Sequence, residues 1–408
     1  MRLILIALFS TAAFALSLDE AVSLSLQNHP AVFQAEQSAF EATVRRGAAD
    51  SAFWPTLSAS LTQHDRENAT NGAAQTTAVK ATFNLFNGLG DLAASRAARW
   101  NETSARHQLE GVRADVALEA KEVFFGYLKA KDTLTAAEES LRLAQKQVFD
   151  AEAFYAQGLI AAHEQLGIQV EAAHSEQKAL KAASDLKVAR LTLESTMGVP
   201  LPSEPKPIAA QAVLPIEPAN LNALMQERRS EIKSLQSLIE AQKQQKRKAS
   251  ADLLPTANLA FSQEQYEYDS GFSGLEEQTV ATLTLNWSLF SGFKTLRERE
   301  AAHYGQRILE SRLSDLKRQL TLQLQSTYER YELASRGFLV VEAALGLAQE
   351  HYRIIKNRFD AQLSGATDLI DAEAALSRAR EQYNLYYYDK LLALAELERV
   401  TQSPLMIQ

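Results

Sequence analysis

Leu324, Thr327, Tyr331, Ala334, Phe338, Val341, Leu345, Ala348, Tyr352, Ile355 and Phe359 follow one another in an unbroken alternation of three- and four-residue steps. A seven-residue repeat kept up over that distance holds one stripe of an α-helix against a partner, as in a coiled coil. Upstream, Leu309, Leu313, Leu316 and Leu320 keep the rhythm, and the extra four-residue step to Leu324 resembles a stutter. The same pattern stands 204 residues earlier, at Tyr127, Ala130, Leu134, Ala137, Leu141, Ala144, Val148, Ala151 and Tyr155. Two copies of one long helix in one chain constrain the fold more than any other feature.

The repetition extends beyond the helices. Leu254-Pro255-Thr256 repeats Trp54-Pro55-Thr56 at an offset of 200, and the run from Trp287 to Phe293 matches the run from Phe83 to Leu89 at 204. The second hairpin loop is therefore four residues longer. A first repeat is expected over 16–197: a capping box of Ser17 with Glu20, a break at His29-Pro30, strands at about 56–66 and 76–86, a long helix at about 91–155, a tip at 156–162 and a return helix at 162–197. At 1.5 Å per residue the long helix would extend ~100 Å. Six of the ten prolines fall in 198–218, which reads as a linker. The second repeat, 219–402, is expected to carry strands at about 256–265 and 278–289, a long helix at 293–359, a tip at 360–366 and a return helix at 366–400, before a tail at 403–408.

Composition and the first residues bound the setting. Charged residues make up 23% of the 408, Gly and Pro are sparse, and the formal net charge is −8. That is a profile of long helices, with no basic tract to suggest nucleic acid. Met1-Arg2, an apolar stretch from Leu3 to Phe9 and Ala13-Phe14-Ala15 resemble a secretory leader over 1–15, too short to span a bilayer. The chain has no cysteine, hence no disulfide and no thiol for lipid attachment. An exported chain with no long apolar run is expected to be periplasmic, secreted or part of an outer-membrane β-barrel.

The strands favour the barrel. Leu57, Ala59 and Leu61 alternate with Ser58, Ser60 and Thr62, and Ala281, Leu283 and Leu285 alternate with Thr282, Thr284 and Asn286. Four half-apolar strands cannot close a barrel, and open edges in lipid leave backbone groups unpaired at several kcal/mol each. Either the strands are soluble extensions of a periplasmic or surface coiled-coil scaffold, or several chains complete one barrel. Phe53, Trp54, Phe83, Phe86, Trp287, Phe290 and Phe293 cluster where strands meet helices, at the place of a membrane-interface girdle.

With two repeats of helix, hairpin, long helix, tip and helix around a proline-rich linker, the whole mature chain resembles the TolC-like outer membrane factor family. The resemblance implies a mainly α fold with a β-barrel part. Three copies would form a twelve-stranded barrel in the outer membrane of a Gram-negative bacterium and an α-helical tunnel in the periplasm. It implies a passive, gated exit duct of a tripartite efflux pump or type I secretion system, partnered by a periplasmic adaptor, an inner-membrane transporter and outer-membrane lipid.

It also assigns roles at the tips. Asp368 and Asp371 lie three apart, on one face of the return helix's first turns, where acidic residues complement the helix dipole. The resemblance implies that they form an acidic constriction at the periplasmic entrance, six carboxylates in a trimer. Glu164 matches Asp368 at the 204 offset and would help latch the closed tips. Gly158-Leu159-Ile160 resembles the motif where the first hairpin turns and meets the adaptor. In the second tip, Gln362-Leu363-Ser364 lacks the glycine, Ser364 stands where a latching Arg is expected, and Phe359 replaces a Tyr.

Other chemistries find little support. Gly88-Leu-Gly90-Asp-Leu-Ala93 fits a dinucleotide fingerprint, but the strand before it alternates where a buried parallel strand would be continuously apolar. The seven His and four Met form no metal-binding spacing, and no nucleophile elbow or P-loop occurs. No cofactor, metal or catalytic activity is expected.

Overall fold

The computed structural model describes residues 16–63, 73–208, 218–268, 276–361 and 363–405. The expected leader at 1–15, residues 64–72 and 269–275, residues 209–217 of the expected linker, Gln362 and residues 406–408 lie outside these residues. The chain divides into two compact units: Met1–Gln34, Gly111–Arg229 and Arg318–Gln408 form one, and Ala35–Glu110 with Ser230–Lys317 the other.

The second unit is built on a four-stranded antiparallel sheet. β1 (Thr56–Gln63), β2 (Ala73–Asn87), β3 (Thr256–Tyr268) and β4 (Glu277–Asn286) lie side by side in chain order. The β2–β3 pair joins the two repeats, with Phe83 opposite Leu259 and Ala81 opposite Phe261. Across β3 and β4, Leu259 faces Leu283 and Ala257 faces Leu285. Because side chains alternate across a strand, this register gathers the apolar residues on one face. Leu57, Leu61, Val79, Phe83, Phe261, Leu283 and Leu285 on that face are all exposed. Among the described residues, nothing pairs with the outer edge of β1 or of β4. β2 begins at Ala73, three residues before the expected 76, and β4 stops at Asn286, short of 289. There the Trp287 indole Nε1–H donates to the Leu253 carbonyl (3.2 Å) instead of continuing a ladder.

Matched helices enter and leave the sheet at one end. α2 (Pro30–Asp50) and α6 (Ser230–Ala249) lead through single 3₁₀ turns into β1 and β3. α3 (Gly90–Ala156) and α7 (Lys294–Asp360), 67 residues each, follow β2 and β4. Buried Glu102 ties α3 to α2: it accepts from Arg46 (3.1 Å), Arg106 (2.5 Å) and Thr43 (3.2 Å). Burial pushes its carboxyl up, but the two guanidinium groups outweigh that and hold it below the ordinary carboxylate range.

In the first unit, α1 (Leu18–Asn28) carries the Ser17–Glu20 capping box. It packs with α3, α4 (Ala162–Met197) and α8 (Ala366–Thr401) around Leu18, Ala21, Phe124, Phe125, Leu193, Met197 and Leu391. Residues 203–206 of the linker run beside Leu16, whose N–H donates to the Glu204 carbonyl (3.0 Å). α5 spans Pro218–Arg228, placing Pro218 at a first helical position, where its missing N–H costs nothing. The α7 seam behaves as its heptads require: Leu324, Thr327, Ala334, Phe338 and Phe359 are buried. No described helix is long and apolar enough to cross a membrane.

The turn from β2 into α3 depends on Gly88, whose φ is +54°. A Cβ there would lie 2.1 Å from the Ala251 carbonyl oxygen. Gly88→Ala is expected to destabilise the protein by at least ~2 kcal/mol, through backbone strain and overlap together. The thermal midpoint in detergent should fall accordingly; an unchanged midpoint would contradict this packing.

Candidate functional site

The two tips of the first unit lie against each other through apolar side chains. Ala151 and Ile168 of the first hairpin pack with Phe359 and Leu369 of the second, flanked by Val148, Phe154, Ile160, Tyr352, Ile355 and Ile370. The Phe154 and Phe359 rings meet edge-on, with centroids 6.0 Å apart, a geometry that adds to plain burial. Phe359, expected to latch where a Tyr hydroxyl would bond, is thus a core residue pinning one hairpin to the other. The inward position at the end of the first seam belongs to Phe154, and Tyr155 is exposed. The three-four alternation drifts against the 3.6-residue helix, and the last turn before the tip is free to follow the helix.

The first tip turns at Gly158, whose φ of +70° suits glycine. Its N–H donates to the Tyr155 carbonyl, and that of Leu159 to Phe154. Leu159 is exposed while Ile160 tucks into the cluster. Glu164 caps α4: its carboxylate accepts from the Ala161 N–H at 2.9 Å. In the second tip the Ser364 hydroxyl donates to Asp368 (2.7 Å), and Arg358 donates to the Leu363 carbonyl (3.3 Å). Asp371 is exposed and makes no ion pair or hydrogen bond among the described residues. Leu363 is exposed, and Gln362 lies outside the described residues. Sequence reasoning passed over Arg358, though a cation in a helix's last turn, facing free carbonyls, is a recognisable end signal.

Glu373, one half-turn beyond Asp371, was also missed. Only 7% exposed, it has among the described residues no hydrogen-bond partner of good geometry for either carboxylate oxygen. Burial pushes its carboxyl above the usual range; the Gln147 amide opposes this, the Glu171 charge reinforces it, and Arg380 opposes it. Further along the same seam, α8 is strapped to α3 by Arg380–Glu139 (3.0 Å), Tyr388–Asp132 (2.5 Å), Lys121–Glu398 and Arg399–Asp115 (2.6 Å).

In the other unit, Trp54, Phe83, Phe86, Trp287, Phe290 and Phe293 are all exposed at the end of the sheet where the helices attach. Phe290 and Phe293 meet edge-on at 5.3 Å. Leu89 and Phe293, matched across the repeats, both hold left-handed backbone (φ 65° and 66°), an uncommon conformation for bulky residues. Each turn sets a large apolar side chain into the open at the sheet's rim.

The chain belongs to the outer membrane efflux protein family, whose sequence model matches residues 21–199 and 222–401. As a member of that family it is an outer-membrane protein of the efflux class, which favours the duct over the soluble scaffold. The fold is that of solved outer-membrane channels. The Vibrio cholerae outer membrane protein VceC is 16% identical with a TM-score of 0.80, over 95% of this chain and 97% of that one. The Campylobacter jejuni CmeC channel is 13% identical with a TM-score of 0.81, over 94% and 85%. CusC, described with its transmembrane channel formation, is 16% identical with a TM-score of 0.80, over 98% and 96%. No curated protein sequence matches this chain.

The buried carboxyl makes a pH prediction. A raised native pKa means that the folded state holds its proton longer than the unfolded one, so stability falls as pH rises past the unfolded value of ~4.3. Glu373→Gln is expected to raise the thermal midpoint at pH 8, with the gain shrinking to nothing near pH 4. An equal gain at both values would show that charge burial is not its cause.

Proposed function

We propose that three copies of this chain close a twelve-stranded barrel and a twelve-helix tunnel, and that the tips form its periplasmic gate. The observation that carries this reading is the sheet with both outer edges unpaired and its apolar face exposed. In lipid such edges must pair, and further copies of the same sheet supply the pairing with no new chemistry. A second stripe supports it. Leu333, Val340, Leu347 and Ile354 recur every seven residues along α7 and are 45–74% exposed, an apolar seam left open among the described residues.

At the entrance, Asp368 and Asp371 from three chains make a collar of six carboxylates that favours cations and repels anions. Gly158, Leu159 and Ile160, with Leu363 of the other tip, present the surface for a periplasmic adaptor, through which an inner-membrane transporter supplies the energy. Opening is an outward swing of the second hairpin. Because Phe359 and Leu369 pack on the first hairpin and Arg380 pairs with Glu139, the swing must loosen an apolar contact and an ion pair along with the collar. Within one chain, Ser364 and Glu164 serve their own helix starts, which leaves the apolar cluster as the main latch between the two tips.

The test is conductance in planar bilayers. Asp368→Ala with Asp371→Ala is expected to raise single-channel conductance and to weaken block by multivalent cations by at least about tenfold. Unchanged block would remove these carboxylates from the gate.

A further inference from the structure

We propose that the end of α6 and the start of α7 form a docking site for the headgroup of an anionic phospholipid, in the leaflet that meets the helix end of the sheet. Lys243, Lys246, Arg247, Ser250, Arg299 and Gln306 line one shallow depression between these two helices. Lys243 pairs with Glu240 (2.6 Å). Among the described residues no carboxylate pairs with Lys246, Arg247 or Arg299, and Lys248 beside them is exposed and unpaired as well. Lys246, Arg247 and Arg299 line one depression with no carboxylate paired to them, so they repel one another, and an arriving phosphate relieves that repulsion.

The first repeat shows that the fold does not require the cluster. At the 200 and 204 offsets, Gly47, Ala48, Asp50 and Ser95 stand where Arg247, Lys248, Ser250 and Arg299 do. There the Ser95 hydroxyl donates to Asp50 (2.5 Å), and Arg46, which matches Lys246, is neutralised by Glu102 (3.1 Å). One repeat is internally balanced, and the other leaves its cations open.

Height along the sheet selects a lipid rather than a dissolved anion. Lys246 to Lys248 end the helix that turns through Ala251–Leu253 into β3, and Arg299 lies in the second turn of the helix that follows β4. Thr256 pairs with Asn286, so both junctions sit at the same end of the sheet. Leu253, Leu254, Trp287, Leu289, Phe290 and Phe293 are exposed around those junctions and mark the edge of the hydrocarbon. Five residues of helix separate Arg299 from Lys294, a rise of ~7.5 Å. A bilayer's polar zone adds roughly 5–8 Å per side to its hydrocarbon. The cations therefore fall at headgroup depth, directly beneath the aromatic rim. A three-fold assembly carries three such sites.

The proposal rests on the membrane reading of the sheet, and the experiment separates the two. The full chain is equilibrated with equal amounts of phosphatidylglycerol and phosphatidylcholine in mixed micelles and repurified, and the retained lipids are measured by mass spectrometry. Wild type is expected to retain phosphatidylglycerol over phosphatidylcholine by at least about fivefold, and each neutralised cation to lower that ratio by roughly the same factor until parity. K246Q with R247Q and R299Q should reach parity, while R142Q with K146Q and K187Q, in the other unit, should keep the wild-type ratio. Parity in wild type, or an unchanged ratio in the first triple variant, overturns the site. Loss of the enrichment in millimolar inorganic phosphate also overturns it, by making this a site for free anions. Membrane fractionation of the wild type is read in parallel: a chain found in the membrane without lipid preference refutes only the headgroup site, whereas a chain absent from the membrane refutes the duct.

Discussion

A backbone N–H or C=O facing hydrocarbon has no water to turn to, and the arrangement of this protein follows from that. Each repeat contributes two strands, and the β2–β3 pair merges them into one sheet of four. The merger settles the inner edges and leaves those of β1 and β4 open. The apolar residues are gathered on one face by a register that runs unbroken from Leu57 across to Leu283, so the sheet is prepared for lipid on that side and for water on the other. Helices cannot relieve the edges, since none among those described suits a bilayer. Only further strands can.

The helices answer a different demand. Their apolar stripes are narrow, as heptads are, and each must find a partner along its length. In the first unit much of that partnering is internal: α3 against α8, with a polar strap of Glu139, Asp132, Lys121 and Asp115 beside the apolar seam. The stripe from Leu333 to Ile354 is left over. Open strand edges and an open helix stripe in the same chain ask for the same thing, more copies of it, and this agreement between two unrelated kinds of surface gives the trimeric reading its strength.

Much of the fold could be read in the sequence because the two periodicities are so distinct: heptads for the helices, alternation for the strands, and fixed offsets linking the copies. The places where reading fell short share a physical cause. Periodicity names a face, and the last turn of a helix is where faces become ambiguous, so Phe154 rather than Tyr155 turned inward. The stop of β4 at Asn286 came from a tertiary contact, the Trp287 indole on the Leu253 carbonyl, which no local pattern announces. Phe359 was legible as apolar but not as the contact between the two tips, because its partners Ala151 and Ile168 lie on another hairpin. Glu373 looked like any solvated glutamate, since burial of one charged position depends on neighbours far along the chain. Arg358 could have been found from its place near the helix end. The acidic pair at Asp368 and Asp371 was legible as a pair, while the collar proposed for it would belong to an assembly that a single chain does not display.

The central claim is that this sheet is one third of a closed barrel, and mass in solution tests it most directly. Light scattering on the detergent-solubilised chain, corrected for bound detergent, should give a particle of three chains, each of 45.1 kDa for the full sequence. A monodisperse single-chain particle at working concentration would contradict the account.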